Sequence, residues 1–256
     1  MESSNIVTLT VDNINIAGQL YLPGQDSQAP YPTVCVCHGI PANVPDPNDR
    51  GYPLLAERIC EQGIAVLIFN FRGTGASRGN LDILGWTRDL TAAIDYLHSL
   101  PEVAKTRLSL LGFSGGAAVS IYVAAQDKRI SSVVSCACPA EFTFFTEANE
   151  PQSLIDHFRC IGAIRDRGFP HSTEEWLNGF ELIRPLKYVA RIAPRPLLLV
   201  HGSRDDVVDV SHAHQLYERA GEPKQINIVD GAGHRLRQDE RAMAIVIDWL
   251  KAHHQN

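Results

Sequence analysis

The sequence predicts an α/β domain: a mostly parallel, twisted sheet of eight strands with helices on both faces and a small helical cap insertion. Three observations carry this. From residue 33 onward, short apolar runs alternate with helical patterns, the signature of strands joined by crossover helices. Runs such as Ala65–Phe69 are apolar throughout, as suits strands covered on both faces. A chain of 256 residues, 45% hydrophobic and 20% charged, fills one large core without staples. The reading is a single domain over 1–256, with the insertion at about 139–194.

The elements follow in order. Residues Ile6–Leu22 read as a hairpin: Ile6, Thr8 and Thr10 alternate with Val7, Leu9 and Val11, and Asp12–Asn13 supplies turn chemistry. A loop rich in Pro, Gly, Asp and Ser fills 23–32. Six further strands are expected at Thr33–Cys37, Ile64–Phe69, Leu108–Phe113, Ser132–Cys138, Pro196–His201 and Gln225–Val229. Helices are expected between them. Leu54, Leu55 and Ile59 mark the first, and Leu90, Ala93, Ile94 and Leu97 mark a second at i, i+3, i+4, i+7. Ala117–Ala125, His212–Ala220 and the stripe Met243, Val246, Ile247, Leu250 mark the others. Between Pro139 and Pro194 no strand is legible. A structureless loop that long is unusual, so this segment, with its Phe144, Phe145 and Trp176, is expected to form helices that cover something.

Composition excludes several functions. A net charge of −6 does not suit a phosphate backbone, so no nucleic-acid partner is expected. No basic residue precedes Arg50, so the N-terminus lacks the pattern of an export signal. The uncharged run Leu108–Gln126 approaches the length of a membrane helix, but Gly112, Gly115 and Gly116 interrupt it. A buried strand, a tight turn and a buried helix explain it, and no membrane association is expected. Cys35 with Cys37, and Cys136 with Cys138, would each share a strand face. Zinc ligands are usually spaced two to four residues apart, so buried reduced thiols and a cytoplasmic location are expected. His212 and His214 are not at helical metal spacing, and the terminal His253–His254 is expected in solvent. No metal is expected. Arg72, in a glycine-rich turn without a phosphate-binding pattern, is expected to be structural.

The chemistry lies in three loops. Gly112–Phe113–Ser114–Gly115–Gly116 matches G-x-S-x-G, entered by an apolar strand and left by a small-residue helix. A sharp strand-to-helix turn exposes the serine oxygen and aims a helix N-terminus at the reaction centre. A serine hydroxyl needs an adjacent base, and the base needs an orienting group. Candidates follow the next two strands: Asp205 or Asp206 in 201–208, and His234 in 231–234. Loops after successive parallel strands gather at one sheet edge, so Ser114, Asp205 and His234 can converge. An oxyanion also needs N–H donors. Gly115 follows the nucleophile. In His38–Gly39–Ile40–Pro41, Pro41 has no N–H, leaving Ile40 first and Gly39 second.

With these loops, the chain resembles an α/β-hydrolase-fold serine hydrolase of the branch that holds cinnamoyl- and feruloyl-type esterases, acyl hydrolases and serine peptidase domains. Residues 37–39, 70–77, 112–116, 201–206 and 231–234 carry the resemblance. It implies an acyl-enzyme on Ser114, Asp205 as the acid because Val208 stands where the family's valine does, Ile40 and Gly115 as oxyanion donors, and an insertion that caps the pocket with Phe144, Phe145 and Trp176. Asp209 departs from the proline common after this loop. No cofactor is implied. The expected partner is a small-molecule ester, and a homo-oligomer is compatible with the sequence. A peptidase or amidase of the same fold, with Glu147 and Glu150 for an amino terminus, and a non-catalytic binding protein are the alternatives.

Overall fold

The computed structural model describes residues 3–24, 28–43, 51–143 and 150–254. The sheet has eight strands: β1 (Ser3–Val11), β2 (Ile14–Leu22), β3 (Tyr31–Cys37), β4 (Ala65–Phe69), β5 (Val103–Phe113), β6 (Ser132–Cys136), β7 (Leu197–Gly202) and β8 (Lys224–Val229). Their order is β1-β2-β4-β3-β5-β6-β7-β8. The β1–β2 and β2–β4 pairs are antiparallel and all the others are parallel. Asp12 and Asn13 close the hairpin with φ of 52° and 60°, the pair of positive values that a two-residue turn needs to match strand twist.

Alternate strand residues feed two cores. On one face Cys35, Cys37, Leu108, Leu110, Val133, Leu197 and Leu199 pack under α2 (Ile83–Ser99), α3 (Gly115–Ala124) and α6 (Ser211–Arg219). On the other, Val34, Val36, Leu111, Val134, Leu198 and Val200 pack under α1 (Gly51–Cys60) and α7 (Glu240–His254). This two-sided burial is why the parallel strands read as unbroken apolar runs.

The insertion contains α4 (Pro151–Cys160) and α5 (Thr173–Leu182). Their apolar faces meet over α2: Trp176 stands edge-on to Phe180 at 5.5 Å, and Phe180 edge-on to Phe142 at 5.4 Å. Polar bonds tie the same segment to the loop after β4. Asn80 Nδ2 donates to Asp166 (2.7 Å), and Asn80 Oδ1 accepts from the N–H groups of Arg165 and Asp166.

Three expectations need correction. β5 begins at Val103, five residues before Leu108; Lys105 and Arg107 interrupt its apolar pattern, yet their head groups reach the carbonyls of Leu100 and His254. Cys136 and Cys138 do not share a face. The strand ends at Cys136, and Ala137 at φ 51° turns the chain, so the two thiols enter different cores. His254 is buried, not solvated: its Nε2 lies 3.1 Å from Ser109 Oγ, which bonds Ser132 Oγ at 2.6 Å. Burial lowers the His254 imidazole to about 4, aided by the charge of Arg107.

Five thiols, at Cys35, Cys37, Cys60, Cys136 and Cys138, are free and buried, and Cys160 is exposed. Arg72 is structural: its guanidinium is held against the buried Asp89 carboxylate at 2.7 Å and reaches Asp12 at 2.9 Å. Among the described residues no helix is long and apolar enough to cross a membrane.

Candidate active site

Strand β3 lies between β4 and β5, so the chain leaves it in one direction and returns on its other side. Such a switch point opens a crevice at the carboxyl ends of the strands. The loop after β3 and the turn after β5 meet there.

Ser114 begins that turn at φ 51°, ψ −123°, a region costly for a residue with a side chain. Its N–H is held by Cys136 O at 2.8 Å. Close backbone packing keeps the turn in place. A Cβ on Gly116 would lie 2.2 Å from His38 O, and one on Gly115 would lie 2.7 Å from the Ile40 side chain and 3.6 Å from Ile40 N. The backbone of Ile40 therefore runs directly beside Gly115.

His38 stiffens the loop that carries Ile40. Its Nε2 accepts the N–H of Phe71 at 3.0 Å, so Nδ1 carries the proton and donates to Gly39 O at 2.8 Å. Burial lowers this imidazole to about 4 against the opposing bond to Gly39. It is neutral at neutral pH.

His234 lies across from Ser114. Its Nδ1 is 2.8 Å from Asp205 Oδ2 and 3.0 Å from Oδ1. Both are acceptors, so Nδ1 bears the proton and Nε2 is free to accept from Ser114 Oγ at 3.1 Å. Asp205 is the carboxylate that reaches the imidazole. Its side chain is fully buried, and Oδ1 also accepts the N–H groups of Val207 (2.9 Å) and Val208 (2.8 Å). Burial pushes its carboxyl up, but hydrogen bonds from His201, His234, Val208 and Val207 together outweigh that and hold it well below the usual carboxylate range. It is therefore anionic. Asp206 is exposed at the cavity rim, Asp209 accepts the Ser211 N–H just before α6, and Asp230 accepts from Ser203. The three groups Ser114, His234 and Asp205 are arranged so that a proton leaving Oγ is received at Nε2 while a fixed negative charge faces Nδ1.

A cavity of about 760 Å³ opens over Ser114, Gly115 and His234. Ile40 and Val207 line it from the strand-end loops, and Phe142, Leu154 and Phe158 line it from the insertion. Trp176 is not among its lining residues. It is buried, and its indole N–H is given to Leu81 O at 2.8 Å; that bond turns the ring into the core. Phe144, Phe145 and Glu147 lie outside the described residues. Glu150 is exposed and accepts from the Ser153 hydroxyl. Sequence reasoning missed Leu154 and Phe158, although their i, i+4 spacing on a helix of the insertion was a usable signal. It gave no role of their own to His38 and His201, which stand beside apolar runs in two of the motifs. Among the described residues no group of three or more His, Cys, Asp or Glu is placed to hold a metal ion.

Comparison with known proteins agrees with this architecture. The model of the prolyl oligopeptidase family matches residues 54–256. An uncharacterized protein of Pseudomonas aeruginosa is 26% identical, over 86% of this chain and 72% of its own. The crystal structure of an alpha/beta hydrolase from a Penicillium species superposes with a TM-score of 0.77 at 23% identity, covering 100% of both chains. An esterase of Pyrococcus furiosus superposes with a TM-score of 0.71 at 27% identity, covering 98% of this chain and 92% of that one.

Proposed function

The chain belongs to the prolyl oligopeptidase family and has the fold of the α/β hydrolases, and from that premise we propose that it is a serine hydrolase cleaving carboxylic esters of small to medium acids through an acyl-enzyme on Ser114. The observation that carries the proposal is the continuous hydrogen-bond path from Ser114 Oγ through His234 to Asp205. Serine attacks the ester carbonyl as His234 Nε2 takes its proton. The N–H groups of Ile40 and Gly115 receive the oxyanion. The C–O bond to the alcohol breaks, and His234 returns the proton to the leaving oxygen. Water, deprotonated by His234, then attacks the acyl-enzyme and releases the acid and the free serine. Asp205 holds the imidazole tautomer and offsets its positive charge throughout. No cofactor takes part, and the buried free thiols suit a reducing, cytoplasmic setting.

Support for esters comes from the Pyrococcus esterase, whose likeness spans nearly the whole chain. The short and medium acyl reading rests on the modest length of the insertion, about 139–194, against the larger lids of long-chain lipases. The family's name favours a second reading, cleavage of amides. One panel separates them: p-nitrophenyl esters of rising acyl length, amino-acid p-nitroanilides, and a fluorophosphonate probe. The expected result is ester turnover highest for short chains, and labelling that Ser114→Ala abolishes. Preference for acyl chains beyond about ten carbons overturns the size reading. Preference for anilides establishes the peptidase reading. No turnover and no labelling removes the hydrolase mechanism.

A further inference from the structure

Asp205 is flanked by two histidines, and the mechanism uses only one of them. His201 stands at the end of β7, in the same strand that delivers the acid loop. It is 1% exposed. Its Nε2 lies 2.8 Å from Val208 O and 3.2 Å from Asp205 Oδ2. Both neighbours are acceptors, so Nε2 must carry a proton. The N–H goes to the carbonyl of Val208, with the carboxylate alongside it.

The two contacts complement each other. The acid loop leaves β7 after Gly202, turns through Asp205 and comes back at Val208. Asp205 accepts the N–H groups of the returning arm, from Val207 and Val208. His201 binds its C=O side. The loop is thus closed at both ends by side chains from the same short stretch. Among the described residues, His201 is the donor that faces the acid besides the backbone N–H groups and His234.

We propose that His201 is a positioning residue of the catalytic acid. It fastens the returning arm of the loop so that Asp205 meets His234 Nδ1, and it shares with His234 the negative charge of Oδ2. The proposal rests on the serine-hydrolase reading and adds a part to it. The charged and titratable groups around His201 are Asp205 and Asp209 on its own loop and His212 on α6, whose Nδ1 accepts the Ala140 N–H.

Three variants of the full chain and one spectrum test it. Turnover is expressed per fluorophosphonate-labelled serine, so loss of folded protein does not count as loss of rate. His201→Leu has no donor. Its kcat per labelled site is expected to fall by at least tenfold with KM changed less than about threefold. The acidic limb of kcat/KM is expected to move to higher pH, because Asp205 then keeps more charge for the imidazolium of His234. His201→Gln restores an N–H at similar reach and should recover kcat to within about threefold and return the limb to its original position. Asp209→Asn removes a nearby exposed charge; it serves as the control for a general charge effect and should leave the limb in place. An unmoved limb with full per-site kcat in His201→Leu overturns the proposal, as does failure of His201→Gln to recover. A limb that moves as far in Asp209→Asn as in His201→Leu overturns it too. Should His201→Leu not fold, the wild-type protein decides: nitrogen NMR of labelled histidine must find the His201 proton on Nε2, and a proton on Nδ1 alone overturns the proposal. Failure of the wild type to label at Ser114 at all is a different outcome, and it removes the hydrolase reading while leaving the tautomer result intact.

Discussion

The floor and the roof of the cavity are built on different terms. The floor is backbone. Ser114, Ile40 and Gly115 are located by strand ends, by a positive φ and by carbonyls too close to admit a Cβ. The roof is side chain. Helix α4 presents Leu154 and Phe158 to the cavity from one face and leaves Gln152, Asp156 and Arg159 in solvent. The difference teaches where tolerance lies: chemistry that needs a fixed backbone leaves little room for substitution, whereas a wall made of side chains changes shape one residue at a time.

Gly116→Ala is the sharpest way to break this contrast. Alanine is the better helix former by about 1 kcal/mol, yet its Cβ would meet three backbone atoms of Cys37 and His38 at 2.2–2.8 Å. The collision should dominate and cost more than about 4 kcal/mol, read as loss of soluble protein or collapse of the denaturation midpoint. If the variant is as stable as the wild type, the floor is not rigid.

Within the floor, Asp205→Asn should lower kcat by about four orders of magnitude with substrate affinity little changed, while Asp206→Asn, on an exposed side chain at the rim, should lose far less. Reversal of the two in steady-state kinetics would move the acid to Asp206.

Acid tests the floor and the far end of the sheet together. An unfolded imidazole titrates near 6.5, but burial lowers both His38 and His254 to about 4. The fold holds their neutral forms, so their contribution is complete above pH 6.5 and lost as pH falls toward 4. Each is worth at most about 3 kcal/mol. Denaturant midpoints measured from pH 7 to 4 should fall accordingly, and His254→Gln should flatten part of that fall.

The roof should respond more gently. Leu154→Ala is expected to change the ratio of kcat/KM between long and short acyl esters by about three- to tenfold, with Ser114 labelling intact. An equal loss on every substrate would mean that Leu154 serves stability alone. At the small end, Gly168→Ala has nothing within 4 Å of the added carbon, and its midpoint should shift by less than about 0.5 kcal/mol.

The same division explains what the sequence made legible. The floor was readable because its requirements are local: a strand, a tight turn and a small-residue helix are contiguous around Ser114, and Asp205 and His234 each follow a strand directly. The roof was not. Whether Trp176 or Phe158 faces the cavity depends on how α4 and α5 rotate against α2, and the bond from Trp176 to Leu81 that fixes one of them joins residues 95 positions apart. His201 and His254 escaped for a related reason. A polar residue next to an apolar run gives no sign of its partner when that partner is a main-chain carbonyl or a hydroxyl on another strand.

The distribution of the thiols has a practical result of its own. Five are sealed in the two cores and one, Cys160, ends α4 in solvent. Thiolate is the reactive species, and burial raises the Cys136 and Cys138 thiols, the latter to about 12. A thiol reagent should therefore consume one equivalent at once and the other five only as the sheet opens. The slow phase clocks the opening of the cores without any introduced probe, and the fast phase marks a position on the insertion where a reporter can be attached.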